Sequence, residues 1–239
     1  MLWFVLAGVV VAVGLVAYWL LVSTEGVYLG RRAVVWMYDF TAQKYDGIKQ
    51  FDEEHETLTI ARPLLAALKE QERPLVLDVA TGTGRVPALL LNEATFQGRV
   101  VGLDAAAKML AQAQVKLAKL GEDRAERVML GQGAAAGLPF DGALFDAVCC
   151  LEALEFFPDD RAALREMARA LKPGGFLMTS RRIGLEGRLF FGRYRGKSDF
   201  EDYLAELGFV GVRSHAWQVN YNMVTAWKGP RRKNARLYS

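Results

Sequence analysis

The chain has 239 residues, 52% of them hydrophobic, and a formal net charge of +3. That length holds one α/β domain with a core large enough to fold without staples, and so small a charge excludes a global nucleic-acid footprint. Cys149 and Cys150 are adjacent in an apolar run, which is no disulfide framework and fits a reducing compartment, while His55 and His215 stand apart without metal-ligand spacing.

Residues 1–22 carry no charged side chain and are built from Val, Leu, Ala, Trp, Tyr and Gly. As a helix they span about 33 Å, enough for the hydrocarbon core of a bilayer. The run lacks a basic leading segment, exceeds the usual signal core of about 7–15 residues and is followed by no A-x-A site, so it reads as an uncleaved anchor rather than a signal peptide. Trp3, Tyr18 and Trp19 near its ends suit interfacial anchoring, and Arg31 and Arg32 beyond it place the following domain in the cytoplasm.

Residues 23–51 are a linker and approach segment in which Tyr38-Asp39 and Tyr45-Asp46 repeat. A helix is expected over about 54–71, with Leu58, Ala61, Leu65 and Leu68 on its apolar face. Next, Leu75-Val76-Leu77-Asp78-Val79 reads as a fully buried strand of a parallel sheet, interrupted by a carboxylate that needs a cationic or hydrogen-bonding partner. Ala80-Thr81-Gly82-Thr83-Gly84 then forms a tight turn, with glycines that let the backbone approach a ligand before a helix starts near Arg85. Pro87 stands where a dinucleotide fingerprint requires a third small residue, so the pattern suits a nucleotide-type ligand without a pyrophosphate.

Val100 to Asp104 is a second strand ending in an acid, and Lys108-Met109-Leu110 opens the helix after it. Phe145 to Leu151 is a further strand, with Glu152-Ala153-Leu154-Glu155 at its carboxyl end, and Asp159 and Asp160 start a helix that runs toward Leu171. Strands alternate with helices through Arg181, the signature of a parallel sheet. An arginine-rich insert follows over residues 181–197, carrying Leu185, Leu189, Phe190, Phe191 and Tyr194. It reads either as a surface loop or as an interfacial segment that inserts Phe190 and Phe191 while its arginines meet lipid phosphates. Phe209 to Ala216 and Tyr221 to Lys228 are two strands joined by a short turn, and Arg231, Arg232, Lys233 and Arg236 form a basic tail.

The stretch from Asp78 to Gly84 resembles motif I of the class I S-adenosylmethionine (SAM) methyltransferases, (D/E)-x-G-x-G-x-G. With Ala80 at the first glycine it is similar to the D-V-A-x-G-T-G form of the ubiquinone/menaquinone C-methyltransferase group; an alanine there is expected at negative φ. The resemblance continues in order for about 150 residues. It runs through Gly131-Gln132-Gly133-Ala134 with Leu138-Pro139-Phe140, where Gln132 replaces the usual aspartate, to the Leu171-Lys172-Pro173-Gly174-Gly175 turn. It implies a Rossmann-like α/β fold with a seven-stranded, mostly parallel sheet closed by an antiparallel hairpin.

By the same resemblance SAM is held by Asp78, Ala80, Thr81, Gly82, Gly84, Asp104, Ala105, Met109, Gln132, Gly133 and Ala134. Asp104 would accept both ribose hydroxyls, Ala105 and Met109 would flank the adenine, Gln132 would accept from its amino group, and the two Tyr-Asp pairs would cap the pocket. The expected organisation is an anchor over 1–22, a linker and capping segment over 23–51, the methyltransferase domain over 52–229 and a basic tail over 230–239. Methyl transfer needs mainly positioning; where the acceptor must lose a proton, Glu152, Glu155 and Tyr45 are the candidate catalytic residues by position. The expected acceptor is lipophilic, a quinone precursor or a phospholipid headgroup, and the expected membrane contacts are residues 1–22 and the insert over 181–197. Two other readings stay open: a catalytically silent scaffold subunit of a membrane complex, and a membrane-anchored NAD(P)-binding oxidoreductase.

Overall fold

The computed structural model describes residues 1–49, 52–193 and 196–230. Tyr194 and the basic residues Arg231, Arg232, Lys233 and Arg236 lie outside them. The chain begins with helix α1 (Leu2–Tyr18), prolonged by a π-turn (Trp19–Ser23), and no residue of α1 is buried. Together they make one helix over Leu2–Ser23, long and apolar enough to cross a membrane.

What was read as a linker is largely helical: α2 (Arg31–Thr41) and α3 (Tyr45–Lys49) precede α4 (Glu53–Glu56) and α5 (Arg62–Leu68). A π-turn over Thr57–Ala61 joins α4 to α5. It inserts a residue into the helical register and rotates the buried face. Ile60, Ala61, Leu64 and Leu68 are therefore buried, whereas Leu58, expected on that face, is exposed.

The core alternates strands and helices: β1 (Leu75–Val79), α6 (Arg85–Asn92), β2 (Arg99–Asp104), α7 (Ala107–Ala118), α8 (Glu122–Ala125), β3 (Val128–Gln132), β4 (Phe145–Cys150), α9 (Asp160–Ala170) and β5 (Leu171–Arg182). Then come α10 (Gly184–Arg188), α11 (Lys197–Glu206), β6 (Phe209–Gln218) and β7 (Tyr221–Lys228). The sheet order is β3-β2-β1-β4-β5-β7-β6. β1 to β5 run parallel, and β7 pairs antiparallel with both β5 and β6. This is the seven-stranded mixed sheet with a carboxyl-terminal hairpin expected above.

Strand alternation sorts the core into two layers. Leu77, Val79, Val148 and Cys150 face α9 and α11, through Leu164, Met167, Phe200 and Leu204. Val76, Ala147, Cys149 and Met178 face α5, α6 and α7, through Leu64, Leu90 and Leu117. Strand order reverses between β1 and β4, and open α/β sheets bind ligands at the carboxyl ends of the strands flanking such a switch.

Candidate functional site

A cavity of about 280 Å³ lies at that switch point. Its floor is the turn after β1 (Ala80, Gly82), the ends of β2 and β4 (Asp104, Glu152) and the loop after β3 (Gly133, Ala134). Met109 and Ala105 form one wall, and α2 closes the top with Val34, Val35 and Tyr38, joined by Tyr45.

Two non-glycine residues on this floor, Ala80 (φ 59°) and Glu152 (φ 51°), have left-handed backbone. Ala80 was expected at negative φ; the turn instead demands the glycine conformation, so the alanine methyl is held in it at a cost of about 1–2 kcal/mol. Left-handed backbone at the ends of two neighbouring strands is the kind of strain that clusters at ligand sites. Gly82 (φ 56°) meets the same demand, and a Cβ built there would project into open space rather than into protein.

Asp104 holds this turn. Its carboxylate accepts from the Gly82 N–H and the Ala106 N–H, each at 2.8 Å, and it lines the cavity with acceptor capacity to spare. Burial raises its pKa, opposed by the backbone donors of Ala106, Gly82 and Ala105.

Four of the expected cofactor residues do not reach the cavity. Asp78 is buried behind the turn and accepts from the Thr81 hydroxyl at 2.7 Å; burial pushes its pKa up to about 7, against that hydrogen bond and the charge of Arg85. Its partner is thus a hydroxyl, and Thr81 serves the turn rather than the void. Gly84 (φ 78°) caps α6, where a Cβ would come within 3.1 Å of the Ala113 Cβ, so this glycine lets α6 and α7 approach. Gln132 is exposed at the end of β3 and donates through its amide nitrogen to the Ala105 carbonyl at 2.9 Å.

The three candidate catalytic residues separate. Glu152 and Tyr45 line the cavity, whereas Glu155 does not. The short helical turn Leu154–Phe156 carries Glu155 away, into a buried cluster with the Tyr221 hydroxyl and Arg182. Glu152 pairs with Arg85 and Lys49, each at 2.8 Å. Burial works to raise its pKa, but Arg85 and Lys49 outweigh it and hold the value down to about 2. So acidic a group is a weak base at neutral pH. Burial and the charge of Glu152 push the Tyr45 hydroxyl well above its ordinary value, so it stays protonated.

Sequence reasoning missed the network behind Glu152. Arg85, the first residue of α6, also approaches Glu56 of α4 at 3.4 Å and lies 5.6 Å from the Trp217 ring. Only the basic residue immediately after the glycine turn hinted at it; Glu56 and Trp217 are too distant in sequence to be found by spacing. The Tyr-Asp repeat resolves into a division of labour. Tyr38 and Tyr45 wall the cavity, while Asp39 accepts from the Lys108 N–H at the start of α7 and Asp46 accepts from the Thr83 hydroxyl and pairs with Lys116.

The insert is only partly as expected. Phe190 is 1% exposed, edge-on to Phe156 and under the Arg182 guanidinium, so it belongs to the core and is not available to a membrane. Phe191 is 64% exposed and lies 5.5 Å from Trp19, at the foot of the apolar amino-terminal helix.

Residues 77–179 match a family described as a methyltransferase domain. Over 142 residues the chain is 35% identical to a demethylmenaquinone methyltransferase of Thermus thermophilus, covering 59% of this chain and 62% of that protein. Over 137 residues it is 33% identical to a demethylmenaquinone methyltransferase of Staphylococcus epidermidis, covering 57% and 55%. The chain thus spans less than two thirds of the length of these curated relatives. A SAM-dependent methyltransferase from Aquifex aeolicus superposes with a TM-score of 0.61 over 80% of this chain and 98% of that one; at 20% identity it shows a shared fold.

Proposed function

We propose, from a chain whose residues 77–179 match a methyltransferase domain family, that it is a membrane-anchored SAM-dependent methyltransferase acting on a lipophilic, quinone-type acceptor. The cavity fits the cofactor. Gly82 leaves room for close backbone approach, Asp104 offers carboxylate oxygens for two hydroxyl donors, and Ala105, Met109, Gly133 and Ala134 supply an apolar lining for a base. SAM, when bound, supplies an activated methyl group on a sulfonium.

The protein's own part is positioning and exclusion of water. Asp104 and the Ala80–Gly82 turn hold one end of the cavity in shape, and Glu152, ionised and fixed by Arg85 and Lys49, completes its floor. Val34, Val35, Phe156, Phe157 and Pro158 make the other end apolar. The observation that carries the acceptor reading is this apolar end. Val34 and Phe156 pack with Val27 and Phe190 next to the foot of the amino-terminal helix, so one cluster is shared by the cavity wall and the membrane side of the molecule. The relatives' name adds the quinone class, which we favour over a phospholipid headgroup. We place the helix over Leu2–Ser23 across the bilayer, with Arg31 and Arg32 on the cytoplasmic side, and Phe191 at the lipid surface.

Calorimetry on the full chain in detergent with SAM, S-adenosylhomocysteine and NAD is the first test. The expected result is binding of the first two and not the third; binding of NAD alone would turn the reading toward an oxidoreductase. Asp104→Ala removes hydrogen bonds to a charged group, about 1.5–3 kcal/mol each, so SAM affinity falls by at least about tenfold; unchanged affinity would reject the site. Incubation of a lipid extract with methyl-labelled SAM, followed by chromatography, is expected to put the label in the quinone fraction. Label in phospholipid would replace the acceptor, and tight SAM binding without transfer to any lipid would favour a scaffold.

A further inference from the structure

The outward face of α2 is exposed among the described residues. Arg32, Trp36 and Phe40 are spaced by four residues and form one stripe along the helix, opposite the stripe of Val34 and Tyr38 that faces the cavity. Trp36 is 65% and Phe40 77% exposed, and their rings stack on each other at 5.8 Å. No acid shares the stripe, because Asp39 is turned to the Lys108 N–H. A paired tryptophan and phenylalanine held in water beside basic residues are a binding surface rather than ordinary scattered exposure.

Position says what covers it. α2 starts only eight residues after the apolar helix ends at Ser23. Trp19 at the foot of that helix stacks on Tyr28 at 4.9 Å, and the Tyr28 hydroxyl donates to the Phe191 carbonyl, so the foot, α2 and the Leu185–Phe191 segment converge. Leu185 is 80% exposed there, with Arg188 exposed beside it. Aromatic and aliphatic side chains interleaved with arginines, continuous with a membrane-spanning helix, are the composition of a segment lying in the headgroup layer.

We propose that the Arg32–Trp36–Phe40 face of α2 beds in the interfacial layer of a phospholipid bilayer, so that the cavity mouth beside Arg31 opens at the lipid surface and an apolar acceptor enters it without crossing water. Arg31, exposed at the start of α2, is also part of the cavity lining and marks that mouth. The inference rests on the membrane-anchored reading above but is separable from it, since the anchor alone would tether the domain with α2 facing water.

The test uses the full chain with Phe40→Cys carrying an environment-sensitive fluorophore. Cys149 and Cys150 are fully buried and do not label in the folded protein. Thr95→Cys, exposed at the opposite, amino-terminal edge of the sheet, is the control. Each is reconstituted in phosphatidylcholine–phosphatidylglycerol vesicles, with and without nitroxide-labelled lipid, and flotation is scored in parallel. The expected result is blue-shifted emission at position 40 that nitroxide lipid quenches, with neither effect at position 95; Trp36→Cys labelled in the same way gives the same result. A chain that floats with the vesicles but shows no quenching at positions 40 and 36 overturns the inference and leaves the anchor standing. A chain that fails to float overturns both. A shift at position 40 that follows protein density and ignores nitroxide lipid assigns the stripe to a second copy and also overturns the inference.

Discussion

Asp78→Asn is expected to reverse its effect on stability across the acidic range. The folded chain holds the Asp78 carboxyl at a pKa of about 7, against an ordinary 3.8, because burial penalises the charge more than the Thr81 hydroxyl and Arg85 relieve it. A raised carboxyl pKa means that the folded state binds the extra proton. Stability contributed by this residue is therefore full below the unfolded value, falls as pH climbs, and is lost once pH passes about 7. About three pKa units at 1.36 kcal/mol each set an upper bound of about 4 kcal/mol for that loss. The asparagine removes the titration but brings an NH2 group into the same buried place, at about 1–3 kcal/mol if it finds no acceptor. Below about pH 4 the variant is then less stable by about that amount, and at pH 8 it is more stable by about 1–3 kcal/mol, equivalent to several degrees in a chain of this size. Denaturant titrations of both proteins in mild detergent between pH 3.5 and 8.5 read the difference directly. A difference that stays constant with pH would refute the assignment of a buried, proton-holding carboxyl.

Arg85→Met strands the buried carboxylates of Glu56 and Glu152, and breaking such a cluster from the cationic side is expected to cost about 3–5 kcal/mol. Glu56→Gln, which leaves the Arg85–Glu152 pair, is expected to cost under about half as much; equal losses in urea unfolding would refute the network. Trimming residues 1–18 is expected to release the chain from vesicles while preserving SAM binding by calorimetry, since none of those residues lines the cavity. A trimmed chain that no longer binds would make the helix part of the fold.

Most of the sheet was legible because its signals are local. An apolar run with a glycine turn at Leu75–Gly84, a strand ending in Asp104 and the Leu171–Gly175 turn each declare themselves within ten residues, and their order carries the topology. What failed was anything decided by tertiary geometry. Leu58 left the buried face because a π-turn rotated the helix, a one-residue shift that periodicity cannot register. Glu155 followed the same strand as Glu152, but a single helical turn sends it to Tyr221 instead of the cavity. Phe190 and Phe191 are adjacent and chemically alike; the distant residues Val27, Val34, Phe156 and Arg182 decide that Phe190 is core while Phe191 is surface. Ala80 shows the limit in the opposite sense. The glycine pattern identified the turn, yet the steric preference of alanine argued for the wrong half of backbone space, because the Gly82–Asp104 hydrogen bond and the Thr81 N–H to Leu103 carbonyl bond hold the turn closed.

The joint between the amino-terminal helix and α2 is built, not slack. Thr24 is fully buried with its hydroxyl donating to the Trp19 carbonyl, and Glu25 (φ 48°) and Gly26 (φ 72°) turn the chain in left-handed backbone. A Cβ at Gly26 would meet the Met37 sulfur at 2.8 Å, so the elbow lies against α2, and Glu25 accepts from the Tyr38 hydroxyl at 2.8 Å. The angle at which α2 leaves the helix is thereby set by strain and contact. On the other side Val35, Tyr38, Ala42 and Tyr45 pack on Ala106 and Met109, and Asp39, Asp46 and Lys49 add polar contacts around that apolar patch. The Val27–Val34–Phe156–Phe190 cluster at the foot is apolar and buried, where each side chain contributes about 1.5–3 kcal/mol. Both seams around the cavity are thus apolar at their centres.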